Sequence, residues 1–236
     1  MKLSDYIYYK DDWATIYCGD CLEIMPLMEP DSVDLVVTDI PFNVGWKYGE
    51  YKDNLSEEQY CKNCHEWFHG MAKFQARKVI KIPTKFSYIV IPIFHQELGY
   101  KWTIIQYSPN TTSHGAFNLN LFTQYVVSDG NGCTPGIDFF QNTRNDIHTD
   151  HPAEMPEWPI RKLIDWFSKE RATILDPFLG SGTTCLASKN LNRKSIGIEI
   201  NPKYCEIAVK RLRQGVFDFR KEEKFNCGMQ GGCKEF

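Results

Sequence analysis

The stretch DPFLGSGTT, Asp176 to Thr184, stands between the apolar run ATIL and the helix-like run CLASKNL. A strand that ends in Asp-Pro-Phe and then reads Gly-x-Gly makes a tight turn into the start of a helix. The glycines tolerate unusual dihedrals and let a ligand approach the backbone, and a helix start offers unpaired N–H groups. About twenty residues further on, SIGIEI puts Glu199 at the end of the next strand, where an acid accepts the hydroxyls of a ribose in dinucleotide-type folds. Three general readings meet at this turn. A phosphate loop requires a Lys before the Ser or Thr, and GSGTT has none. A nicotinamide dinucleotide site requires a third glycine where Cys185 stands. A glycine connector without a ligand requires only the turn.

Working outward, the chain alternates strand and helix patterns. DWATIYCGD and SVDLVVTDIPF read as strands, and NVGWKYGEYKDNL as a long loop. SEEQYCKNCHEWFHGMAKFQ opens with Ser56 and Gln59 at capping-box spacing and reads as a helix. KVIKI, FSYIVIPI, KWTIIQYS and LFTQYVVSD read as further strands, and residues 128–152 as irregular. MPEWPIRKLIDWFSKE is a predicted helix with Pro159 near its first turn. The strand ATILD, a helix from about Thr183, the strand SIGIEI and the helix PKYCEIAVKRLR follow. This alternation predicts an α/β fold with a mostly parallel sheet and helices on both faces. Ligands of such sheets sit beyond the carboxyl ends of the strands. Both the glycine turn and an upstream echo of it, TDIPF at Thr38 to Phe42, fall there. On its own the echo is a strand end with a proline stop.

Composition narrows the function. The 236 residues are 42% hydrophobic and 24% charged, a globular balance for a single domain over 1–236. A net charge of −3 gives no general attraction to nucleic acid, so any such role needs a local basic patch or a partner. The first residues are too charged and aromatic for a signal peptide, and no stretch has the length of a membrane span. Nine cysteines without disulfide-framework spacing fit free thiols in a reducing, cytoplasmic setting.

DPFLGSGTT followed by SIGIEINPKYCEIAVKRL resembles the S-adenosylmethionine-binding region of the amino-methyltransferases that modify DNA. In that family a second motif, Asp/Asn/Ser-Pro-Pro-aromatic, carries the chemistry. Its counterpart is Asp39-Ile40-Pro41-Phe42. YCGDCLEIMP is similar to the family's Gly-Asp element and nominates Asp20 and Cys21 at the cofactor. HPAEMPEWPIRKLI, from His151, resembles the segment before the cofactor strand, with Met155 in place of the usual lysine. The catalytic motif precedes the cofactor motif, the order of the family's β group. The resemblance implies a Rossmann-like methyltransferase fold and transfer of methyl from S-adenosylmethionine to the exocyclic amino group of a flipped base. The catalytic residues it implies are Asp39, Ile40, Pro41 and Phe42. The cofactor residues it implies are Asp20, Cys21, Asp39, Asp176, Pro177, Phe178, Gly180, Ser181, Gly182, Thr183, Thr184 and Glu199. Asp at the first motif position favours N6 of adenine over N4 of cytosine. The departure is Ile40, where the family has its first proline. A carbonyl remains, but one fixed φ is lost, which leaves a catalytically weakened subunit as the alternative.

Target recognition is expected from a minimal insertion at residues 108–148, with a homodimer or a partner subunit as further routes, and RNA stays open beside DNA as the substrate. Residues 220–236 read as a mobile tail. Cys18 with Cys21, and Cys61 with Cys64 and His65, have metal-like spacing, but helical placement and the motif edge favour free thiols, so no metal is expected. The tail pair Cys227 and Cys233 and the loop residue His114 carry no assigned role. KRLRQG and RKEEK read as solvated helix faces, and the aromatics of GWKYGEY as a packed loop or a pocket wall.

Overall fold

The computed structural model describes residues 1–45, 47, 48, 51–107, 122–129, 139–141 and 157–214. In chain order the strands and α-helices are β1 (Ile7–Lys10), β2 (Ala14–Cys18), α1 (Cys21–Ile24), β3 (Leu35–Asp39), β4 (Lys47–Tyr48), β5 (Tyr51–Lys52), α2 (Glu57–Ala72) and β6 (Arg77–Ile82). They continue with α3 (Ser87–Leu98), β7 (Tyr100–Tyr107), β8 (Phe122–Ser128), β9 (Phe139–Gln141), α4 (Glu157–Phe167), β10 (Thr173–Asp176), α5 (Thr183–Asn190), β11 (Lys194–Glu199) and α6 (Pro202–Arg213). Nine strands form one sheet in the order β1-β2-β11-β10-β3-β6-β8-β7-β9, and β4 with β5 forms a separate ribbon. The run from β2 through β11, β10 and β3 to β6 is parallel. β1 is antiparallel to β2, β8 runs antiparallel to both β6 and β7, and β9 is parallel to β7. The sheet is therefore mixed and mostly parallel, as the strand-helix alternation predicts.

The central strands are apolar on both faces because helices cover both. Val36, Ile80, Val126, Leu175 and Ile198 pack with Tyr60, Trp67, Phe68 and Met71 of α2 and with Val90 and Phe94 of α3. The alternate residues Leu35, Val37, Val79, Ile104, Tyr125 and Ile174 pack with Ile160, Leu163, Ile164 and Phe167 of α4. This period-two division is what a doubly covered strand requires. A third cluster joins Ala14 and Ile16 of β2 to Cys205, Ala208 and Leu212 of α6. Among the described residues no helix is long and apolar enough to cross a membrane.

Two sequence expectations need correction. FSYIVIPI is not a strand: its last seven residues belong to α3, which carries Pro92 within it. The buried residues Val90, Ile93, Phe94 and Leu98 recur at helical spacing, and Gly99, at φ +70°, ends the helix. Packing of that stripe against the sheet outweighs the β-branched composition that suggested a strand. Within 108–148, Phe122–Ser128 is a strand of the main sheet as LFTQYVVSD predicts, and Phe139–Gln141 is a further one, so residues 128–152 are not wholly irregular. Apart from Asp129, the rest of that stretch lies outside the described residues, as do Trp46, His114, His151, Met155, Cys227, Cys233 and the tail 220–236.

Candidate active site

β3 and β10 are neighbours in the sheet, with Leu175 opposite Val36. Their carboxyl ends therefore carry the two motifs side by side. The Thr38 hydroxyl donates to Asp176 Oδ1 at 2.6 Å and links the motifs across 138 positions of sequence. Asp176 Oδ1 also accepts from Phe178 N at 3.1 Å. Burial pushes the Asp176 carboxyl up to about 7, and the nearby negative charge of Asp39 adds to the rise.

The glycine turn is fastened on three sides. Leu179 N donates to Ile198 O at 2.9 Å, and Gly180 N donates to Glu199 Oε2 at 2.8 Å. The other carboxylate oxygen of Glu199 accepts from Asn201 N at 2.8 Å. Burial raises the Glu199 carboxyl, and these backbone donors oppose the rise. Gly197 bares β11 so that Leu179 can lie on it; a Cβ there would stand 2.5 Å from the Leu179 side chain. Gly182, at φ +86°, precedes α5 and presses on α6, where a Cβ would meet that of Ala208 at 2.7 Å. The absent side chain of Gly182 thus serves helix packing, and Gly182 is the one predicted cofactor residue that does not line the cavity. Arg211 of α6 completes the grip, donating through Nη1 to Ser181 O at 2.9 Å, Ser181 Oγ at 2.9 Å and Thr183 Oγ1 at 3.1 Å. The KRLR segment is accordingly not a simple solvated face: its first arginine, Arg211, is turned inward.

The segment after β3 is held by side chains from elsewhere in the chain. Tyr60 of α2 is fully buried and donates its hydroxyl to Pro41 O at 2.8 Å. Asp53 accepts from Asn43 N at 2.8 Å and from Val44 N at 3.0 Å, while Asn43 exchanges two hydrogen bonds with the backbone of Leu55. Asn43 takes φ +55°, a region in which Asn is among the tolerated residues. Ile40 is 1% exposed and packs into the core cluster shared with α2 and α3.

Both motifs open onto one cavity of about 480 Å³, a size suited to an adenosyl-sized ligand. Asp39, Ile40, Pro41 and Phe42 line it, as do Asp20 and Cys21. Asp176, Pro177, Phe178, Gly180, Ser181, Thr183, Thr184 and Glu199 line it as well. Asp20 caps α1, its Oδ1 accepting from Leu22 N at 2.9 Å, and Cys21 is buried beside it. Sequence reasoning missed Asn63, Trp67, Lys81 and Tyr204, which also line the cavity. Asn63 and Trp67 are four apart on α2, so they share a face, and Trp67 meets the Phe178 ring edge-on at 5.2 Å between centroids. Lys81 is the register partner of Asp39. A lysine in the otherwise apolar close of KVIKI was the available signal for it. Of the discounted thiols, Cys61 and Cys64 lie on α2, Cys18 ends β2 and Cys21 begins α1.

A cavity at the carboxyl ends of a mostly parallel sheet, walled by an Asp-x-Pro-aromatic strand end and a Gly-x-Gly turn, defines the S-adenosylmethionine-dependent methyltransferase fold. The solved PvuII DNA methyltransferase, titled cytosine-N4-specific, superimposes with a TM-score of 0.72 at 18% identity, over 87% of this chain and 88% of that one. The M1.HpyAVI complex with S-adenosylmethionine superimposes with a TM-score of 0.65 at 23% identity, over 85% of this chain and 99% of that one. A family described as DNA methylase matches residues 138–210. The type II methyltransferase M.HpaI of Haemophilus parainfluenzae is 31% identical over 230 residues, 84% of this chain and 73% of that protein. The chain belongs to this family, the DNA amino-methyltransferases that act on N6 of adenine or N4 of cytosine, with S-adenosylmethionine as methyl donor. The residues present fit that donor: the cavity has the volume, the Glu199 carboxylate is fixed in its wall, and the Asp176 carboxyl lines it without a basic partner among its contacts.

Proposed function

We propose that the protein methylates N6 of adenine in DNA at a specific site, and that the cavity wall divides between donor and base. The observation that carries this reading is the shared cavity, which brings Asp39-Ile40-Pro41-Phe42 and the glycine turn together although they are far apart in sequence. Asp at the first motif position supports adenine over cytosine.

In this reading Glu199 receives the ribose hydroxyls of S-adenosylmethionine on the lone pairs its backbone donors leave open. Asp20, Cys21, Asp176, Pro177, Phe178, Gly180, Ser181, Thr183 and Thr184 surround the rest of the donor. Bound there, S-adenosylmethionine supplies an electrophilic methyl group on a sulfonium. An exocyclic amino group is a poor nucleophile because its lone pair is delocalised into the ring. Asp39 accepts one amino hydrogen and the Ile40 carbonyl the other, which favours a tetrahedral nitrogen with a directed lone pair. Pro41 O is already engaged by Tyr60, so the Ile40 carbonyl is the motif carbonyl assigned to the base. Phe42 offers the stacking face. A base inside a duplex cannot reach this depth and has to be flipped out, at about a few kcal/mol.

A second reading, a weakened or non-catalytic subunit, has Ile40 as its motive. The buried Ile40 side chain supports the active reading instead, because it fills core that a proline ring would fill less well, and the carbonyl is retained. The test is radiolabelled methyl transfer to DNA and, in parallel, RNA, followed by digestion to nucleosides. The expected product is N6-methyldeoxyadenosine. Asp39→Ala is expected to lower the rate by about 10²–10⁴ while cofactor binding by calorimetry persists. N4-methylcytosine in the digest would reverse the base assignment. Undiminished transfer by Asp39→Ala would remove the catalytic site from this cavity.

A further inference from the structure

Lys81 stands where the proposed function needs room. It lies near the end of β6, directly opposite Asp39, and lines the cavity. Its Nζ is 3.7 Å from Asp39 Oδ2 and 5.0 Å from the centroid of the Phe42 ring. The side chains of Lys81 and Asp39 are only 20% and 28% exposed. The ammonium therefore occupies the two partners that the base reading gives to the target base: the carboxylate that accepts its amino hydrogen and the aromatic face that it stacks on.

We infer that in the base-free enzyme the Lys81 ammonium holds the seat of the target amino group and that base entry displaces it. The inference rests on the assignment of Asp39 and Phe42 to the base. An ammonium and an exocyclic amino group both present N–H donors to a carboxylate. A cation and a flat base both favour the face of an aromatic ring, and one face cannot take both. The separation from Asp39 is that of an ion pair and exceeds a hydrogen bond, so the ammonium is tethered without being locked. Its flexible four-carbon stem lets it leave. The contrast on the same strand is Lys78, whose Nζ donates to Phe74 O at 2.6 Å and is fixed in the interior. The consequence is selectivity by competition. The Asp39 charge stays covered when no base is present, and only a base that replaces both contacts dislodges the lysine.

The test uses a neutral probe, because loss of a cation would also weaken attraction to DNA phosphates. The full-length protein is saturated with S-adenosylhomocysteine, which closes the donor's own adenine site, and titrated with free adenosine by ligand-observed NMR. Lys81→Met, which keeps the length of the side chain and removes its charge, is expected to bind adenosine about tenfold more tightly than the unmodified protein, the combined size of a half-buried ion pair and a cation–π contact. Binding by Lys81→Met alone is the extreme form of that result. Lys81→Gln serves as the second variant, and S-adenosylhomocysteine affinity and thermal melting confirm that each variant is folded. Equal or weaker adenosine binding by both folded variants, or no binding by any of the proteins, overturns the inference. Adding Phe42→Ala to Lys81→Met separates the two levels. If adenosine binding gains from Lys81→Met and then ignores the loss of Phe42, the base seat itself is elsewhere. If binding depends on Phe42 but not on Lys81, only the displacement is lost.

Discussion

The glycine turn and the loop after β3 line one cavity from neighbouring strand ends, yet they are held in opposite ways. The turn is fixed by its neighbours in sequence: the strand that follows it supplies Ile198 O and the Glu199 carboxylate, and the helix after that supplies Ala208 and Arg211. The loop is fixed by side chains of separate elements, Tyr60 from α2 and Asp53 from beyond the β4–β5 ribbon. A wall built on backbone fit is rigid and tolerates few residue types. A wall built on single hydrogen bonds is adjustable, which suits the side proposed to admit a base. The difference can be broken from either side.

The largest effect is expected on the turn. Gly182→Ala would place a methyl 2.7 Å from Ala208 Cβ and 3.0 Å from its Cα, at φ +86°. The backbone strain and the overpacking together cost about 2–4 kcal/mol, which for a chain of this size lowers Tm by about 5–15 °C. Cofactor affinity should fall with it, because the turn and the start of α5 shift as one piece. Thermal melting and calorimetry read both. A variant that melts normally would mean that α6 yields easily, and the proposed rigidity of this wall would be wrong.

On the loop side the matching change is smaller and of another kind. Tyr60→Phe keeps the ring in its contacts with Trp67 and Phe86 and removes only the hydroxyl on Pro41 O. The loss is about 1–1.5 kcal/mol, one buried hydrogen bond. If the loop orients the base, kcat should fall about tenfold for a shift of that size, with S-adenosylhomocysteine affinity unchanged. A parallel fall in cofactor affinity would show that the two walls are not independent.

The same contrast explains what the sequence discloses. The turn is legible because its constraint is local: glycines, a helix start and an acid at the next strand end fall within one short stretch. β10, α5, β11 and α6 accordingly lie where the pattern predicts them. Gly182 is legible as a turn glycine, but its contact with Ala208 is not, since nothing local says that α6 crosses there. Lys81, Trp67 and Asn63 are not legible as site residues. They reach the cavity only through strand register and helix packing, which no spacing along the chain records. α3 was misread for the opposite reason, a local β-branched run outweighed by its distant packing.

The smallest expected effect is at the junction of the two walls, where Asp176 takes the Thr38 hydroxyl. Its carboxyl is pushed up to about 7 by burial, with Asp39 adding to it, against about 4 in an unfolded chain. Below about pH 4 both states hold the proton. Between there and about 7 only the folded chain holds it, so this group's stabilising contribution declines as pH rises through that window. The cofactor offers a finer reading of the same charge. S-adenosylmethionine and S-adenosylhomocysteine differ by the sulfonium, and an ionised Asp176 in the cavity wall favours the cation. The ratio of their affinities is therefore expected to shift toward S-adenosylmethionine by about threefold, the equivalent of half a pKa unit, as pH rises from 6 to 8, assayed around the value of about 7 given for Asp176. Asp176→Asn keeps an acceptor for Thr38 and removes the titration, so its ratio should be flat over the same range. A ratio that rises equally in the Asn variant would assign the titration to another group. A flat ratio in both would place the sulfonium away from Asp176 and nearer the loop, which would make the loop, and not the turn, the wall that recognises the reacting end of the donor.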